Sequence, residues 1–299
     1  MVAIQPVNTT YEPFSREPEY VEANRGFVGL VNLAHVRRFL DLACGTGAVG
    51  QLLLQAAPTA QLNGIDLDPV QIDLATKEFR ELGHEVRRGT ALTDELVNGK
   101  GIVTLAVGSA DELPFPDASF DCVTIANAIH MMPDKDRFLE AVSRVLKPGG
   151  LFGFNTAFYA GSYPPGTERH MIHWLREATL FIDRLNEQLV AEGKKPIKKQ
   201  HGTTRAAFQN RWNSPQEWRE KLEARGFAIQ TVNERVVMFD ERCIAAVGAY
   251  GGLAEVLMSG YPVEVAAMAL QAAAGPSLAA MNVTAVPRNW LEVWAVKPS

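Results

Sequence analysis

The stretch FLDLACGTGAVG, from Phe39 to Gly50, decides how the rest of the chain is interpreted. Its first five residues, FLDLA, are mostly apolar, which is typical of a short buried strand. The glycines at positions 45 and 47 permit a tight turn, and Val49 to Ala56 has the apolar spacing of a helix. A strand that enters a helix through a glycine turn predicts a nucleotide-binding α/β unit.

Strands and helices then alternate as far as Gly153. Strands separated by helices predict βαβ units, a mostly parallel sheet, and ligands at the carboxyl ends of the strands. Between His84 and Gly101 the connection is longer than usual, and we expect a short extra helix there. The predicted strands after the first are residues 61–68, 102–108, 120–128, 151–156, 227–232 and 289–296, and the helices between them are 70–82, 134–146 and 215–226.

Two helical segments interrupt this alternation and predict insertions that form a lid over an α/β core. Residues 157–213 have helical periodicity and contain no strand candidate. Ser214 is a favourable N-cap, and Pro215 follows it at the first helical position. The predicted organisation is an N-terminal helical cap (1–38), an α/β core (39–156), a helical lid insertion (157–213), a continuation of the core (214–234), a second helical insertion (235–286) and a final core strand (287–299).

The glycine turn fits two classes of nucleotide ligand. From Gly45 it spells G-T-G-A-V-G, which matches the G-x-G-x-x-G pattern of dinucleotide-binding folds. Asp66, 19 residues after Gly47, suits either class as the acid that binds ribose hydroxyls. Asp41 separates the two classes, because a carboxylate beside the turn repels a pyrophosphate but attracts a ligand with an ammonium and a sulfonium. Gly50 is expected only to ease packing of the helix on the strand.

Three further motifs follow in order: GIDLDP (64–69), ADELPFPDASFD (110–121) and LKPGG (146–150). With DLACGTG (41–47), they resemble the motifs of class I S-adenosylmethionine (SAM)-dependent methyltransferases. The resemblance covers roughly Phe39 to Asn155, the helix and strand within 214–232, and the last strand. It implies a Rossmann-like class I methyltransferase sheet, mostly parallel with an antiparallel last strand, and SAM as the cofactor.

The resemblance implies roles for the residues around the turn. Gly45, Gly47 and the neighbouring Ala43 would let the methionyl part of SAM lie against the backbone. Asp41 would be oriented towards the ammonium group of SAM, and Asp66 would bind both ribose hydroxyls. These residues form the predicted sulfonium and ribose end of the cofactor site.

The adenine end is implied by residues after the second and third motifs. Leu67 would pack on the adenine, and the backbone amide of Ala110 would contact the ring. Family members carry an aspartate where this chain has Ser109, so either Ser109 or Asp111 is expected to contact the adenine amino group. Asn127, after the fourth strand, would face the methionyl group.

The predicted catalytic residues are His130, Tyr11 and Tyr20. His130 follows the fourth strand, where the resemblance places the acceptor, and its ordinary pKa suits a general base. The alternative for His130 is that it only packs the loop against the next helix. Tyr11 and Tyr20 would close over SAM or the acceptor, or would simply be buried. The other ionisable candidates are Glu12, Glu168, His170, His173 and His201.

The first insertion contains residue types that bind metals, but a metal site is not predicted there. His170 and His173 share a helix face if that helix starts at Thr167, and Glu168 lies beside them. Packing is favoured, because Mg²⁺ sites normally need more carboxylate oxygens. The basic segment KKPIKK (194–199) is favoured as a solvated loop, with a phosphate-bearing or carrier-bound acceptor as the alternative.

The insertions indicate the class of acceptor. They are rich in aromatic residues and methionine, and such surfaces suit bulky apolar molecules. We therefore predict O- or C-methylation of a small hydrophobic natural-product or acyl-type acceptor. The alternatives are a non-methylating enzyme with the same fold and a catalytically idle SAM-binding scaffold protein.

Composition limits the remaining classes of partner. A formal charge of −5 and a pI near 5.8 argue against nucleic acid and anionic membranes as partners. The three cysteines are widely spaced, the first 20 residues do not resemble a secretion signal, and no apolar run is long enough for a membrane span. We expect a cytoplasmic protein, and the alanine-rich segment 263–280 is a candidate contact for a homo-oligomer.

Overall fold

The computed structural model describes residues 7–200 and 212–298, and these form two compact units. The α/β unit comprises residues 21–162, 212–235 and 289–298, and the helical unit comprises 7–20, 163–200 and 236–288. The first boundary falls after Tyr20, inside a helix, and not after residue 38 where the predicted cap ends. The cause is that Phe27 is buried in the α/β core, where its ring stacks on Trp294 with the centroids 4.8 Å apart.

The α/β unit is built on a sheet of eight strands with the order β3-β6-β2-β1-β7-β8-β10-β9. The first six positions in this order are joined by parallel pairs, and β10 runs antiparallel to β8. This arrangement confirms the predicted mostly parallel sheet with an antiparallel last strand. The strands are β1 (Arg38–Leu42), β2 (Gln61–Asp66), β3 (Val86–Arg88), β6 (Val103–Val107), β7 (Phe120–Ala126), β8 (Leu146–Thr156), β9 (Ala228–Asp240) and β10 (Ala285–Val296).

Helices cover the sheet of the α/β unit, and local capping residues fix where they begin. Asp68 caps α4, the helix Pro69–Glu81, by accepting the Val70 amide at 2.8 Å. Ser214 and Glu217 form a capping box on α7, which confirms the predicted helix start at this position. The helices are α2 (Pro18–Val28), α3 (Ala48–Ala56), α4 (Pro69–Glu81), α5 (Lys135–Val145) and α7 (Pro215–Glu223).

The connection between His84 and Gly101 contains strands, so the predicted extra helix was wrong. It holds β3 and a separate hairpin of β4 (Leu96–Val97) and β5 (Lys100–Gly101). Asn98 and Gly99 form the two-residue turn, with φ angles of 53° and 76°. Asn-Gly is favoured in such hairpins because both central residues need a positive φ, and this signal was present in the sequence.

The helical unit has a core of its own. Trp174 is buried in α6 and donates its indole N–H to the Leu270 carbonyl at 2.8 Å. The helices of this unit are α1 (Glu12–Ser15), α6 (Arg169–Ala191), α8 (Glu241–Ala249), α9 (Gly251–Leu257), α10 (Val263–Ala272) and α11 (Ala274–Ala279). Across residues 7–200 and 212–298, no helix has the length and apolar character needed to cross a membrane.

Candidate cofactor site at the strand ends

The turn between β1 and α3 is left-handed at three positions, Ala43, Gly45 and Gly47, whose φ angles are 49°, 52° and 84°. The two glycines are required for different reasons. A Cβ at Gly47 would lie 2.5 Å from the Phe79 ring, so the helix behind it leaves no space. Within 4 Å, a Cβ at Gly45 would meet only Gln71 Oε1, at 4.0 Å, so Gly45 borders open space where a ligand can approach the backbone.

Gly50 has the packing role that the sequence predicted. A Cβ at this position would lie 2.7 Å from Leu62 and 3.1 Å from Phe79. Glycine therefore lets α3 approach β2 closely, which confirms that the third glycine of the G-x-G-x-x-G pattern serves helix–strand packing.

Asp66 ends β2 beside this turn. Its Oδ2 accepts the Gly45 amide at 2.8 Å, and its Oδ1 accepts the Asp68 amide at 2.9 Å. Partial burial raises the pKa of Asp66, and these two amides oppose that rise. A carboxylate has about four lone-pair sites, so the group keeps capacity for ligand hydroxyls.

Two apolar side chains are exposed next to Asp66. Leu67, the residue after Asp66, is 70% exposed. Val107, the register partner of Asp66 on β6, is 55% exposed. Exposed apolar side chains at two neighbouring strand ends form a surface suited to a flat apolar ring. Sequence reasoning found Leu67 and missed Val107, although Val107 is the last residue of an apolar run that was itself predicted as a strand.

The two candidates for the adenine amino group, Ser109 and Asp111, differ in the acceptor capacity that the chain leaves free. Ser109 Oγ accepts the Asp111 amide at 3.2 Å, so part of its acceptor capacity is used within the loop. Asp111 Oδ1 is buried and has no hydrogen-bond partner in the part of the chain that the structure describes. Burial raises the pKa of Asp111, against the attraction of Arg137. Ala110, between them, is buried.

Asp41 lies beneath the turn and is almost fully buried. Its Oδ1 accepts the Thr124 hydroxyl at 2.8 Å. Its Oδ2 has no partner of ordinary hydrogen-bond geometry among residues 7–200 and 212–298, although the Gly50 amide is close enough to favour the charge. Burial raises the pKa of Asp41 to about 7, and repulsion by Asp66 adds to the rise. That Asp41 is oriented towards an ammonium group of a ligand stays a prediction.

Asn127, after β7, belongs to a buried network of asparagines. Its φ is 48°, its amide contacts both the Oδ1 and the carbonyl of Asn155 at 2.9 Å, and its own Oδ1 accepts the Ala157 amide at 3.0 Å. Asn155 Nδ2 donates to Asn24 Oδ1 at 2.8 Å. Asn24 and Asn155 are fully buried, and sequence reasoning singled out neither. The network joins α2 to the ends of β7 and β8.

His130, in a short 3₁₀ turn after β7, is buried. Its Nδ1 lies 3.2 Å from the Thr156 hydroxyl, and its ring centroid is 4.3 Å from that of Phe158. Burial lowers the pKa of His130 to about 3, and the charge of Lys135 lowers it further. A buried imidazole with so low a pKa is a weak base, and this favours the packing interpretation of His130 over the general-base interpretation.

Tyr11 and Tyr20 lie in the helical unit, in an aromatic cluster. The ring centroids of these two tyrosines are 5.7 Å apart, and Tyr11 also contacts Phe14 at 5.4 Å and Tyr250 at 5.1 Å. Glu12, beside Tyr11, pairs with Arg16 at 2.8 Å. That either tyrosine touches SAM or an acceptor stays a prediction.

His170 and Glu168, two of the residues with metal-binding side chains, bond to different parts of the chain. His170 Nε2 lies 3.1 Å from the Ser277 hydroxyl, and burial lowers the pKa of His170 to about 4. Glu168 Oε2 instead accepts the Gly166 amide at 2.8 Å, before α6 begins at Arg169. Among the described residues, no group of three or more His, Cys, Asp or Glu side chains could hold a metal ion. His201 lies outside the described residues.

The basic segment 194–199 is a loop that makes hydrogen bonds and ionic contacts with neighbouring parts of the chain. Asn186 accepts the Ile197 amide at 2.7 Å and donates to its carbonyl at 3.0 Å. Lys194 pairs with Glu192 at 2.7 Å, and Lys199 lies 5.9 Å from the centre of the Tyr261 ring. These contacts fit the solvated-loop interpretation of the segment.

Residues 40–154 match a family model described as a methyltransferase domain. The chain is 37% identical over 115 residues to a demethylmenaquinone methyltransferase of Lactobacillus johnsonii, a match that covers 38% of this chain and 41% of that protein. It is 35% identical over 136 residues to a phthiotriol/phenolphthiotriol dimycocerosates methyltransferase of Mycobacterium leprae, covering 43% of each. The chain thus spans less than half the length of these two relatives.

Similarity to solved structures extends over nearly the whole chain. The cyclase SpnF, whose fold superposes with a TM-score of 0.53, is 19% identical, and the match covers 93% of this chain and 82% of that one. At this identity the comparison shows the fold alone. Residues 40–154 thus match a methyltransferase domain, and the chain around them has the same Rossmann-like fold as these solved structures.

Proposed function

We propose that this protein binds SAM at the β1–α3 turn and transfers its methyl group to a small hydrophobic acceptor. The observation that carries the proposal is the open face of Gly45 next to Asp66, in a domain that matches methyltransferases. A nucleoside with ribose hydroxyls and a flat base suits these neighbouring groups, because Asp66 supplies acceptors while Leu67 and Val107 supply apolar surface.

Residues at the turn and after β6 suit different parts of SAM. Gly45 leaves space for a chain to lie along the backbone, and the unpaired Oδ1 of Asp111 suits an amino group on the base. When bound, SAM supplies a methyl group on a positively charged sulfur. Asp66 borders the turn and Asp41 lies beneath it, and to the extent that these carboxyls are ionised they favour a cationic ligand over a pyrophosphate, although burial raises the pKa of both.

The acceptor we propose is apolar and ionises without help from His130. The names of the two relatives above give demethylmenaquinone and phthiotriol/phenolphthiotriol dimycocerosates as the methylated molecules, and the apolar character of these compounds supports an apolar acceptor here. Because the pKa of His130 is only about 3, a phenol or quinol that releases its own proton suits this site better than an aliphatic alcohol. Such an acceptor can be methylated on oxygen or on the activated ring carbon.

Three finer points belong to the proposal. A reducing, cytoplasmic location is supported by Cys44, Cys122 and Cys243, which are all buried free thiols. A carrier-bound acceptor and a homo-oligomer remain predictions from the segments 194–199 and 263–280, which rest on sequence composition.

Calorimetry with SAM and with S-adenosylhomocysteine tests the cofactor half of the proposal. We expect both to bind, and an absence of binding by both would refute it. Incubation with a panel of apolar phenols, quinols, alcohols and fatty acyl compounds, followed by mass spectrometry, tests the acceptor half. A product that gains one methyl, together with an equal amount of S-adenosylhomocysteine, is expected from the phenols or quinols.

The second candidate function is a non-methylating reaction on the same fold. It is kept because a cyclase shares this fold over most of the chain, so the fold by itself does not imply methyl transfer. Consumption of an acceptor without formation of S-adenosylhomocysteine would support this function in place of methyl transfer.

A further inference from the structure

Gln71 lies in the first turn of α4, the helix that follows β2 and Asp66. Its side chain is only 6% exposed. Its carbonyl oxygen, Oε1, is buried and has no hydrogen-bond partner in residues 7–200 and 212–298. Buried polar atoms in folded proteins are nearly always paired, because an unpaired one costs stability. The unpaired Oε1 therefore calls for a partner other than the described residues, and a bound ligand is one.

Gln61, on β2, is a second buried glutamine, and its hydrogen bonds can be compared with those of Gln71. Gln61 is similarly buried, at 4% exposure. Its Nε2 donates to the Glu95 carbonyl at 2.7 Å, and its Oε1 accepts the Ile102 amide at 2.9 Å. Both ends of the Gln61 amide are thus paired within the protein, whereas the Oε1 of Gln71 is not. Burial alone does not explain the difference.

The position of Gln71 Oε1 indicates which group of a ligand can donate a hydrogen bond to it. It lies 4.0 Å from the point that a Cβ of Gly45 would occupy, and among the described residues, Gly45 and its two chain neighbours aside, no other atom lies within that distance. The amide of the same glycine donates to Asp66 Oδ2 at 2.8 Å. The Gln71 carbonyl and the Asp66 carboxylate thus both border Gly45, and both are hydrogen-bond acceptors.

We propose that Gln71 is a ligand-binding residue whose Oε1 accepts a hydrogen bond from a ribose hydroxyl of the nucleoside that Asp66 holds. The inference rests on the proposed function, because the ligand is taken to be SAM. Ribose offers neighbouring hydroxyl donors, and two acceptors on either side of one glycine can share them. An apolar side chain of similar size would fill the same space without leaving an unpaired oxygen, so the glutamine is retained for binding.

The test compares Gln71→Met with Gln61→Met. Calorimetry is performed with S-adenosylhomocysteine and with 5′-methylthioadenosine, which has the adenine and ribose but lacks the amino-acid part. We expect Gln71→Met to weaken binding of both ligands by roughly threefold to tenfold, as for the loss of one hydrogen bond. The ligand-free Tm of Gln71→Met should equal or exceed that of the wild type. Gln61→Met should lower the Tm and leave both affinities unchanged.

Each other outcome overturns a defined statement. If the wild type binds neither ligand, the proposed function fails and this inference fails with it. If the wild type binds and Gln71→Met binds both ligands equally well, only the role of Gln71 is refuted. If Gln71→Met loses affinity for S-adenosylhomocysteine alone, the donor is the ammonium group and the ribose assignment is wrong. A Tm as low as that of Gln61→Met, reproduced by Gln71→Leu, would show that Gln71 serves the fold.

Discussion

Two regions at the carboxyl ends of the strands in the α/β unit, the β1–α3 turn and the ends of β7 and β8, differ in how their polar groups are hydrogen-bonded. At the β1–α3 turn, Gln71 Oε1 is left unpaired, Gly45 borders open space and Leu67 is exposed. At the ends of β7 and β8, the chain pairs its own polar groups: His130 with Thr156, and Asn155 with Asn24. Both regions carry residue types that sequence reasoning treats as functional.

The difference indicates which region is prepared for a ligand. A buried polar group that the protein satisfies contributes to the fold, whereas one left unsatisfied at a water-accessible turn is available for binding. By this criterion we expect the turn to bind the cofactor and the asparagine network to hold α2 and the strands in place. The predictions below follow this distinction.

The largest effect is expected for Asp66→Ala. Removing the carboxylate deletes two charge-assisted hydrogen bonds to the ribose, each worth about 1.5–3 kcal/mol, so SAM should bind at least about a hundredfold more weakly. Calorimetry measures the affinity. Asp66→Asn is the control for the turn itself, because one amide oxygen can still accept the Gly45 amide that Asp66 Oδ2 accepts at 2.8 Å. Undiminished binding by Asp66→Ala would show that the ligand lies elsewhere.

Asn155→Ala should affect stability and not binding. The substitution removes a fully buried amide that bonds both Asn24 and Asn127, so we expect the free energy of unfolding to fall by about 2–3 kcal/mol. Urea denaturation measures this change. The matched control is Asn289→Ala, which removes an exposed bond of 3.0 Å to the Gly161 carbonyl and should cost less than about 0.5 kcal/mol. A large loss of SAM affinity in a stable Asn155→Ala protein would contradict the structural role.

Asp41 should make stability depend on pH. Its pKa is about 7 in the folded protein against 3.8 as the ordinary value, so from about pH 4 to 7 the folded state keeps a proton that the unfolded state has lost. The free energy of unfolding should therefore fall as the pH rises through this window, by at most about 1.4 kcal/mol per pH unit, and level off above it. Urea denaturation from pH 5 to 8 measures the slope.

The comparison for Asp41 is made with Asp41→Asn. This variant cannot titrate, so the difference in free energy of unfolding between it and the wild type isolates the contribution of the carboxyl from those of His130 and other groups. Equal slopes in the two proteins would show that Asp41 does not titrate in this window.

The sequence predicted those parts of the fold and site that depend on local patterns. Gly45, Gly47 and Asp66 sit in short motifs, and the structure places them together at one turn. The Asn98–Gly99 hairpin also has a local signal, because Asn-Gly favours a two-residue turn, whereas the length of the connection does not distinguish a hairpin from a helix.

Contacts between distant positions could not be predicted from the sequence. Asn24 and Asn155 are 131 residues apart, and nothing near either asparagine reveals the bond between them. Gln71 fits the helical pattern of α4, so only the burial of its oxygen and the absence of a partner set it apart. The low pKa of His130 likewise comes from burial, which the motif around it does not specify.

The smallest effect is expected for His130→Asn, whose amide can approach the position of Nδ1 and bond Thr156. General-base catalysis is worth about a hundredfold to ten-thousandfold in rate, so a packing role predicts that kcat falls by less than about tenfold. Stability should change with pH in the opposite sense to Asp41. Since the pKa of His130 is lowered to about 3, this histidine contributes a loss of stability as the pH falls below about 6.5, and the difference in free energy of unfolding between wild type and variant isolates that contribution from the opposite one of Asp41. A fall in kcat of a hundredfold or more, with Tm and SAM affinity intact, would return His130 to the role of base. It would also show that a histidine paired with Thr156 in the free protein is released when the acceptor binds, which would place the methyl acceptor at the end of β7.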